Sequence, residues 1–422
     1  MSDASVSIRL NPFKFGGSFP AAGAPLSSGQ ALVPDPFPQG EPVPWNRWGR
    51  ILAERPSFTL DPLFHAGCYY VQDSSAMYVG HIFRKILDRC ADRPLLRVLD
   101  LCAAPGGKTT DLAASLRERL GGSFLLVSNE VMKARVGVLD DNVALWGDPN
   151  VVVTSVDPAA FARLAGFFDI IVADVPCSGE GMFRKDERAV KEWSPAVVDL
   201  CAARQKRILA DVWPALKPGG WLVYSTCTYE RSENDDNLLW ASRELGGTIL
   251  EPENEFASYG VEATECGNLL RAGIVPGEGQ WVGAMRKDGD TADAGPRSDR
   301  FIPASGTGTA RYASPSRSAE VSLSSLHPIR QGVMKGVQKG DKFIPSADFA
   351  LSLAYDGSYP AVEVDRMTAL HFLHRDSFSL PDAPRGFVLI SYLGHSLGFV
   401  NNLGNRCNNL HPQGRRILMN IA

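Results

Sequence analysis

Leu95-Leu96-Arg97-Val98-Leu99-Asp100-Leu101-Cys102-Ala103-Ala104-Pro105-Gly106-Gly107-Lys108-Thr109 decides the fold. An apolar run ends in a turn of small residues, and the helical pattern TTDLAASLRERL follows at once. Small side chains let backbone approach a ligand closely. The helix start behind them offers free N–H groups to an anion or carboxylate. A phosphate-binding loop of the form GxxxxGK[ST] would need glycine at position 102, where Cys102 stands. That rules out the ATPase reading suggested by the GKT at 107–109.

The same alternation continues downstream. GGSFLLVSNE (121–130), NVVVTSV (150–156), FFDIIVADV (167–175) and GGWLVYSTCT (219–228) read as strands. Helical patterns lie between them, including one predicted over 195–216 with Ser194 as N-cap and Pro195 at its first position. Apolar strands alternating with helices imply a doubly wound α/β domain, which binds ligands beyond the C-terminal ends of its strands. Upstream, residues 1 to about 60 are rich in Pro, Gly and Ser and read as an extended arm with little regular structure. Helix-like spacing marks Ser74 to Cys90. Downstream, 287–325 has linker composition. The remainder, 326–422, reads as a compact, mildly basic α+β or β module carrying Arg385, Arg406, Arg415 and Arg416.

The chain has 422 residues, enough for two or three domains, and is 44% hydrophobic, so it is globular. It shows neither a signal-peptide core nor a bilayer-length apolar stretch. A cytoplasmic location without membrane contact is expected. A net charge of −4 gives no global attraction to nucleic acid, so any such binding must use local patches. The eight cysteines form no CxxC pair, and no metal site is expected. In the absence of coiled-coil heptads a monomer is expected.

The strand tips carry the chemistry. Glu130, ending the second strand, suits ribose hydroxyls. Asp157, after the third, could accept from an adenine amino group or merely cap the turn DPAAF. The fourth strand ends in Asp174-Val175-Pro176-Cys177 and the fifth in Ser225-Thr226-Cys227. Two thiols at adjacent tips suit one reaction in particular. Carbon 5 of cytosine accepts a methyl group only after a thiolate adds at carbon 6 and turns the ring into an enamine. A thiolate is strongly nucleophilic and can also leave. Asp174 stands where an acidic partner for N3 would help. The base must first leave its stack.

These motifs resemble those of the RNA cytosine-5 methyltransferases, in particular the bacterial ribosomal RNA branch with a C-terminal PUA-like domain. The matching pieces, in order, are VPW (43–45), GCYYVQDSSAM (67–77), DLCAAPGGKTTDL (100–112), Asn129-Glu130, PCSGEGMFRKD (176–186), YSTCTYERSEND (224–235), PGEGQW (276–281) and GFVNNLGNRCNNLHP (398–412). The resemblance implies a Rossmann-like methyltransferase domain over 93–286, an N-terminal arm and RNA-binding segment over 1–92, a flexible linker over 287–325 and a PUA-like RNA-binding domain over 326–422. It implies S-adenosyl-L-methionine held by Cys102, Ala103, Ala104, Pro105, Gly106, Gly107, Lys108, Glu130, Asp157 and Asp174. Cys227 would be the nucleophile, and Cys177 would assist product release. The implied partner is ribosomal RNA or the small ribosomal subunit.

Two alternatives are the same chemistry on tRNA and an RNA-binding ribosome assembly factor whose methylation is dispensable. A DNA methyltransferase would use Cys177 and leave Cys227 superfluous. His411 and Gln413-Gly414 depart from the family, which usually has an aromatic and a Trp-containing turn there.

Overall fold

The structure, a computed structural model, describes residues 6–14, 40–90, 94–184, 187–289, 310–313 and 323–421. Its centre is a ten-stranded mixed sheet. Five strands run parallel in the spatial order Val151–Thr154, Phe124–Asn129, Leu96–Asp100, Phe168–Asp174, Leu216–Thr226. Chain order reverses on either side of Leu96–Asp100, which makes its C-terminal tip the switch point. The anticipated doubly wound α/β core is present. Antiparallel strands extend it on both edges. Gln280–Lys287 pairs with Leu216–Thr226, and Arg330–Gln331 pairs with Val151–Thr154.

Burial on both faces explains the apolar runs. Leu96, Val98, Phe124 and Leu126 pack under the helices Tyr78–Arg89, Gly107–Leu120 and Lys133–Trp146. Leu99, Leu125 and Val127 face the opposite layer, which includes Pro195–Val212 and Asp235–Ala241. Ser194 Oγ accepts from the Val197 amide at 3.4 Å, the cap expected from sequence. The helix stops at Val212 instead of 216, since Trp213–Ala215 tightens into a 3-10 turn around Pro214.

The arm expected at 1–60 needs correction. Val6–Leu10, Glu41–Val43 and Asn46–Leu52 join Tyr69–Val71 in an antiparallel sheet. Much of the Pro, Gly and Ser content that suggested irregular chain falls at 15–39, outside the described residues. The strands themselves are held by partners distant in sequence, which local composition does not reveal.

The linker expected at 287–325 also holds structure. Ala310–Ala313 is a strand on Val333–Lys339, and Leu323 and Leu326 are buried against the central domain. Residues 290–309 and 314–322 lie outside the described residues.

The C-terminal segment does not stand apart. Leu370, Phe372, Val388 and Val400 share one apolar core with Ile8, Leu10, Trp48 and Leu63 of the N-terminal sheet. Arg415, one of the arginines of this mildly basic module, is largely enclosed. It donates to Asp141 at 2.7 Å and to Asp348 at 2.8 Å. Arg330 bridges Asp140 at 2.6 Å and Asp348 at 2.9 Å. His411 is buried too, its ring facing the Arg415 carbonyl, and burial pushes it down to about 4.

Candidate active site

The turn after Leu96–Asp100 is braced from three sides. Arg9, fully buried, donates to the Gly107 carbonyl at 3.1 Å and to the Gln72 side chain at 2.8 Å. Arg135 holds the Ala104 carbonyl at 2.6 Å, and Asn142 holds that of Pro105 at 2.8 Å. Gly106 sits at φ +112°, a left-handed conformation that favours glycine, and begins the helix Gly107–Leu120. Ala103 and Ala104 are buried and Pro105 is exposed. Burial raises the Cys102 thiol, which keeps it protonated and unreactive.

Asp100 is the residue that sequence reasoning passed over, although it begins the quoted turn. Its Oδ2 accepts from the Thr109 hydroxyl at 2.6 Å. Its Oδ1 is buried without a hydrogen-bond partner. Burial, opposed by the Thr109 hydrogen bond, pushes this carboxyl up to about 7. An orphaned acceptor at the switch point calls for a donor from a ligand.

Asn129 joins the neighbouring tips, donating to the Leu101 and Val156 carbonyls at 3.2 and 3.0 Å. Glu130 is thereby set at the strand end, buried, with one oxygen accepting from the Met132 amide at 2.8 Å. Asp157 is exposed and caps the turn Pro158–Leu164 through the Ala159 amide at 3.0 Å, the structural alternative noted for it.

The two thiols meet. Cys177 Sγ and Cys227 Sγ are 3.2 Å apart. Asp174 lies at the same tips. Its Oδ1 accepts from Ser225 Oγ at 2.7 Å and from Gln280 Nε2 at 3.1 Å, and its Oδ2 faces Lys108 Nζ at 2.8 Å. Lys108 therefore points across the crevice at Asp174. Burial opposes its charge, but Asp174 outweighs burial and holds it above the ordinary lysine value. The hydrogen bond from Cys177 lowers Cys227, against burial, and Lys108 adds to the lowering. The same bond raises Cys177. The pair is thus unequal, with Cys227 the more readily ionised thiol and Cys177 the one that keeps its proton.

Three family models match successive parts of the chain. They are the N-terminal domain of 16S rRNA methyltransferase RsmF (1–74), 16S rRNA methyltransferase RsmB/F (91–258) and the methyltransferase RsmF PUA domain (359–417). Each model covers less than half of the chain, and together they show that it is similar to the RsmB/F methyltransferases. Similar proteins include the ribosomal RNA small subunit methyltransferase F of Salmonella paratyphi A, 39% identical over 56% of this chain and 46% of the relative. That of Pectobacterium carotovorum is 40% identical over 59% and 51%. The chain spans about half the length of the curated relatives it matches. A methyltransferase homolog from Pyrococcus horikoshii superposes with TM-score 0.51 at 28% identity, covering 68% of this chain and 87% of that one.

The methyltransferase match fits the mixed α/β sheet at the centre of the fold. Gln280 and Ser225, which orient Asp174, were visible in sequence only as parts of longer matching pieces. Nothing local marked them as neighbours of an acid about 50 or 100 residues away, a proximity that only the sheet topology creates. Among the described residues no helix is long and apolar enough to cross a membrane. His81, Glu253 and Glu255 gather ligand-type atoms, but Lys85 already lies on both carboxylates.

Proposed function

We propose that this protein is an RsmB/F-type methyltransferase that transfers a methyl group from S-adenosyl-L-methionine to carbon 5 of a cytosine in RNA, with ribosomal RNA of the small subunit as substrate. The observation that carries the reading is the thiol pair Cys177–Cys227 beside Asp174 and Lys108. A cofactor site without that pair would fit many methyl transfers. A low thiol with an adjacent proton-bearing thiol fits addition to a pyrimidine and later elimination.

The cofactor fits the residues present. Its ammonium would satisfy the orphaned Asp100 Oδ1, its ribose would meet Glu130, its adenine would approach Asp157, and Cys102 to Gly107 would lie along it. S-adenosyl-L-methionine supplies an electrophilic methyl group. The protein supplies the rest. Cys227 adds at carbon 6 of the cytosine and forms a covalent bond to the base. Asp174, held between Ser225, Gln280 and Lys108, orients the N3 edge. Its three partners are all donors, so a proton passing to N3 would come through the Lys108–Asp174 pair. Once carbon 5 carries the methyl group, its proton passes to the Cys177 sulfur as that thiol gives up its own, the double bond re-forms and the bond to Cys227 breaks. Cys177, with its raised thiol, returns a proton to the departing sulfur. RNA would be gripped by the N-terminal segment (1–92) and the 326–422 domain, which share one apolar core beside the methyltransferase domain (93–286), with 287–325 as the connection.

The test is tritiated methyl transfer to total RNA and to isolated small subunits from a strain lacking the gene, followed by nucleoside analysis. Label in 5-methylcytidine that disappears with Cys227→Ala supports the reading. Label in another nucleoside, or on neither substrate, overturns it. The second result would favour the assembly-factor alternative.

A further inference from the structure

The loop bearing Cys177 and the loop bearing Cys227 come from different strands, and a 3.2 Å sulfur contact between them needs a restraint. One acid supplies it. Glu180 lies three residues beyond Cys177, in the 3-10 turn Glu180–Met182. Its Oε2 accepts from the Thr228 hydroxyl at 2.8 Å and from the Tyr229 amide at 2.6 Å. Both donors lie within two residues of Cys227. The Thr228 hydrogen is thus committed to Glu180, so the 2.9 Å contact between Ser178 Oγ and Thr228 Oγ1 has Ser178 as donor. The Gly181 amide donates to the Cys227 carbonyl at 2.7 Å. A Cβ at Gly181 would meet that carbonyl oxygen at 2.9 Å, so the approach requires glycine. Behind Cys177, Glu233 accepts from the Ser178 amide at 3.1 Å and from Gln205 at 2.7 Å, which fixes the far side of the same loop.

We propose that Glu180 is a positioning residue whose carboxylate clasps the Cys227 loop to the Cys177 loop and so sets the sulfur–sulfur contact. This rests on the reading of Cys227 as nucleophile and Cys177 as its proton-bearing partner. Without the clasp, the Cys227 loop is free to draw back and the thiol hydrogen bond is lost. The charged and titratable groups facing Cys227 are Cys177, Asp174 and Lys108, and Glu233 faces Cys177. Glu180 acts on this set through geometry, not through its charge. Glutamine at 180 keeps an oxygen able to accept from both Thr228 and Tyr229, and alanine does not.

The experiment uses the full chain with neither RNA nor cofactor. Cys227 alkylation by iodoacetamide is followed against pH by mass spectrometry, and diamide-driven cross-linking of Cys177 to Cys227 is timed. Glu180→Ala is expected to raise the pH of half-alkylation by about one unit and to slow cross-linking about tenfold. Glu180→Gln is expected to match wild type in both. Thr228→Val, which removes the hydroxyl held by Glu180, is expected to move both readouts the same way and guards against a misfolded alanine variant. Wild-type behaviour in Glu180→Ala, or equal shifts in Glu180→Gln, would overturn the clasp. The readouts do not depend on methyl transfer. A chain that methylates no RNA yet shows these shifts keeps the clasp and loses only the reaction.

Discussion

Lys108 Nζ reaches Asp174 Oδ2 at 2.8 Å, across the crevice between the first helix of the sheet domain and the fourth parallel strand. This ion pair lies beside the thiols, and its positive end contributes to lowering Cys227. Replacing Lys108 by Gln removes the charge and leaves a polar side chain one atom shorter. We expect methyl transfer to fall by about 100-fold, the scale of losing one preorganised charge contact at a reacting centre. Steady-state labelling of RNA checks it, and a loss below about fivefold would remove Lys108 from the chemistry.

The two cysteines should fail differently. Cys227→Ala is expected to cut methyl transfer to below about a thousandth of wild type while cofactor affinity stays nearly constant, since a missing nucleophile has no substitute. Cys177→Ala is expected to leave a covalent protein–RNA adduct visible on a denaturing gel, because addition survives and release slows. Absence of any adduct would reject the release role.

The pH dependence follows from the same pair. The Cys177 hydrogen bond is the largest influence lowering Cys227, so the thiolate forms below the ordinary cysteine range. Single-turnover methylation should therefore rise at a lower pH than an ordinary thiol would allow. Cys177→Ala removes that hydrogen bond, and the adduct-forming limb should move to higher pH. A limb that stays in place would mean that another group sets it.

How much of this was legible in the sequence differs from element to element. The parallel strands could be read because each is an apolar run buried on both faces, as with Phe124–Asn129. The turn from Asp100 to Lys108 and both thiols could be read because chemistry-bearing residues end those runs. The N-terminal sheet could not, because Val6–Leu10 is held by Asn46–Leu52 and Tyr69–Val71, and pairing across such separations leaves no local trace. Glu130 and Asp157 had equal standing as acids at strand tips. Only the structure separates a buried carboxylate from an exposed turn cap.

Asp100 should make cofactor affinity depend on pH. Its carboxyl is raised to about 7, chiefly by burial, so its ionised fraction climbs between pH 6 and pH 8. A cationic ligand group binds the ionised form, so affinity should tighten as pH rises, by about tenfold if only that form binds. The sign for the free protein is opposite. A raised acid contributes stability below its unfolded value, and this is lost as pH rises through about 7. Calorimetric titration with S-adenosylhomocysteine at both pH values checks the binding. A flat wild-type profile, or an unflattened one in Asp100→Asn, would show that the orphaned oxygen serves no ligand ammonium.

Asp348 joins the C-terminal domain to the sheet domain. It lies between Arg330 and Arg415, which also hold Asp140 and Asp141 on the helix Lys133–Trp146. That helix holds the cofactor turn through Arg135 and Asn142. All three members of the central triad are only 10–12% exposed, so screening is weak. Asp348→Ala should cost about 2 kcal/mol. Breaking a buried pair outright costs roughly 3–5 kcal/mol, but here each arginine keeps a second aspartate. The two arginines lower the Asp348 carboxyl against burial, so its contribution is present at neutral pH and lost only below the ordinary aspartate value. The N-terminal sheet shares its core with the C-terminal domain, so both should unfold together. Urea unfolding followed by tryptophan fluorescence and by proteolysis near residue 60 checks this. A wild-type midpoint in Asp348→Ala would show that the triad adds nothing to the junction with the sheet domain, and two separate transitions would show that the shared apolar core does not unite the N-terminal sheet with the C-terminal domain.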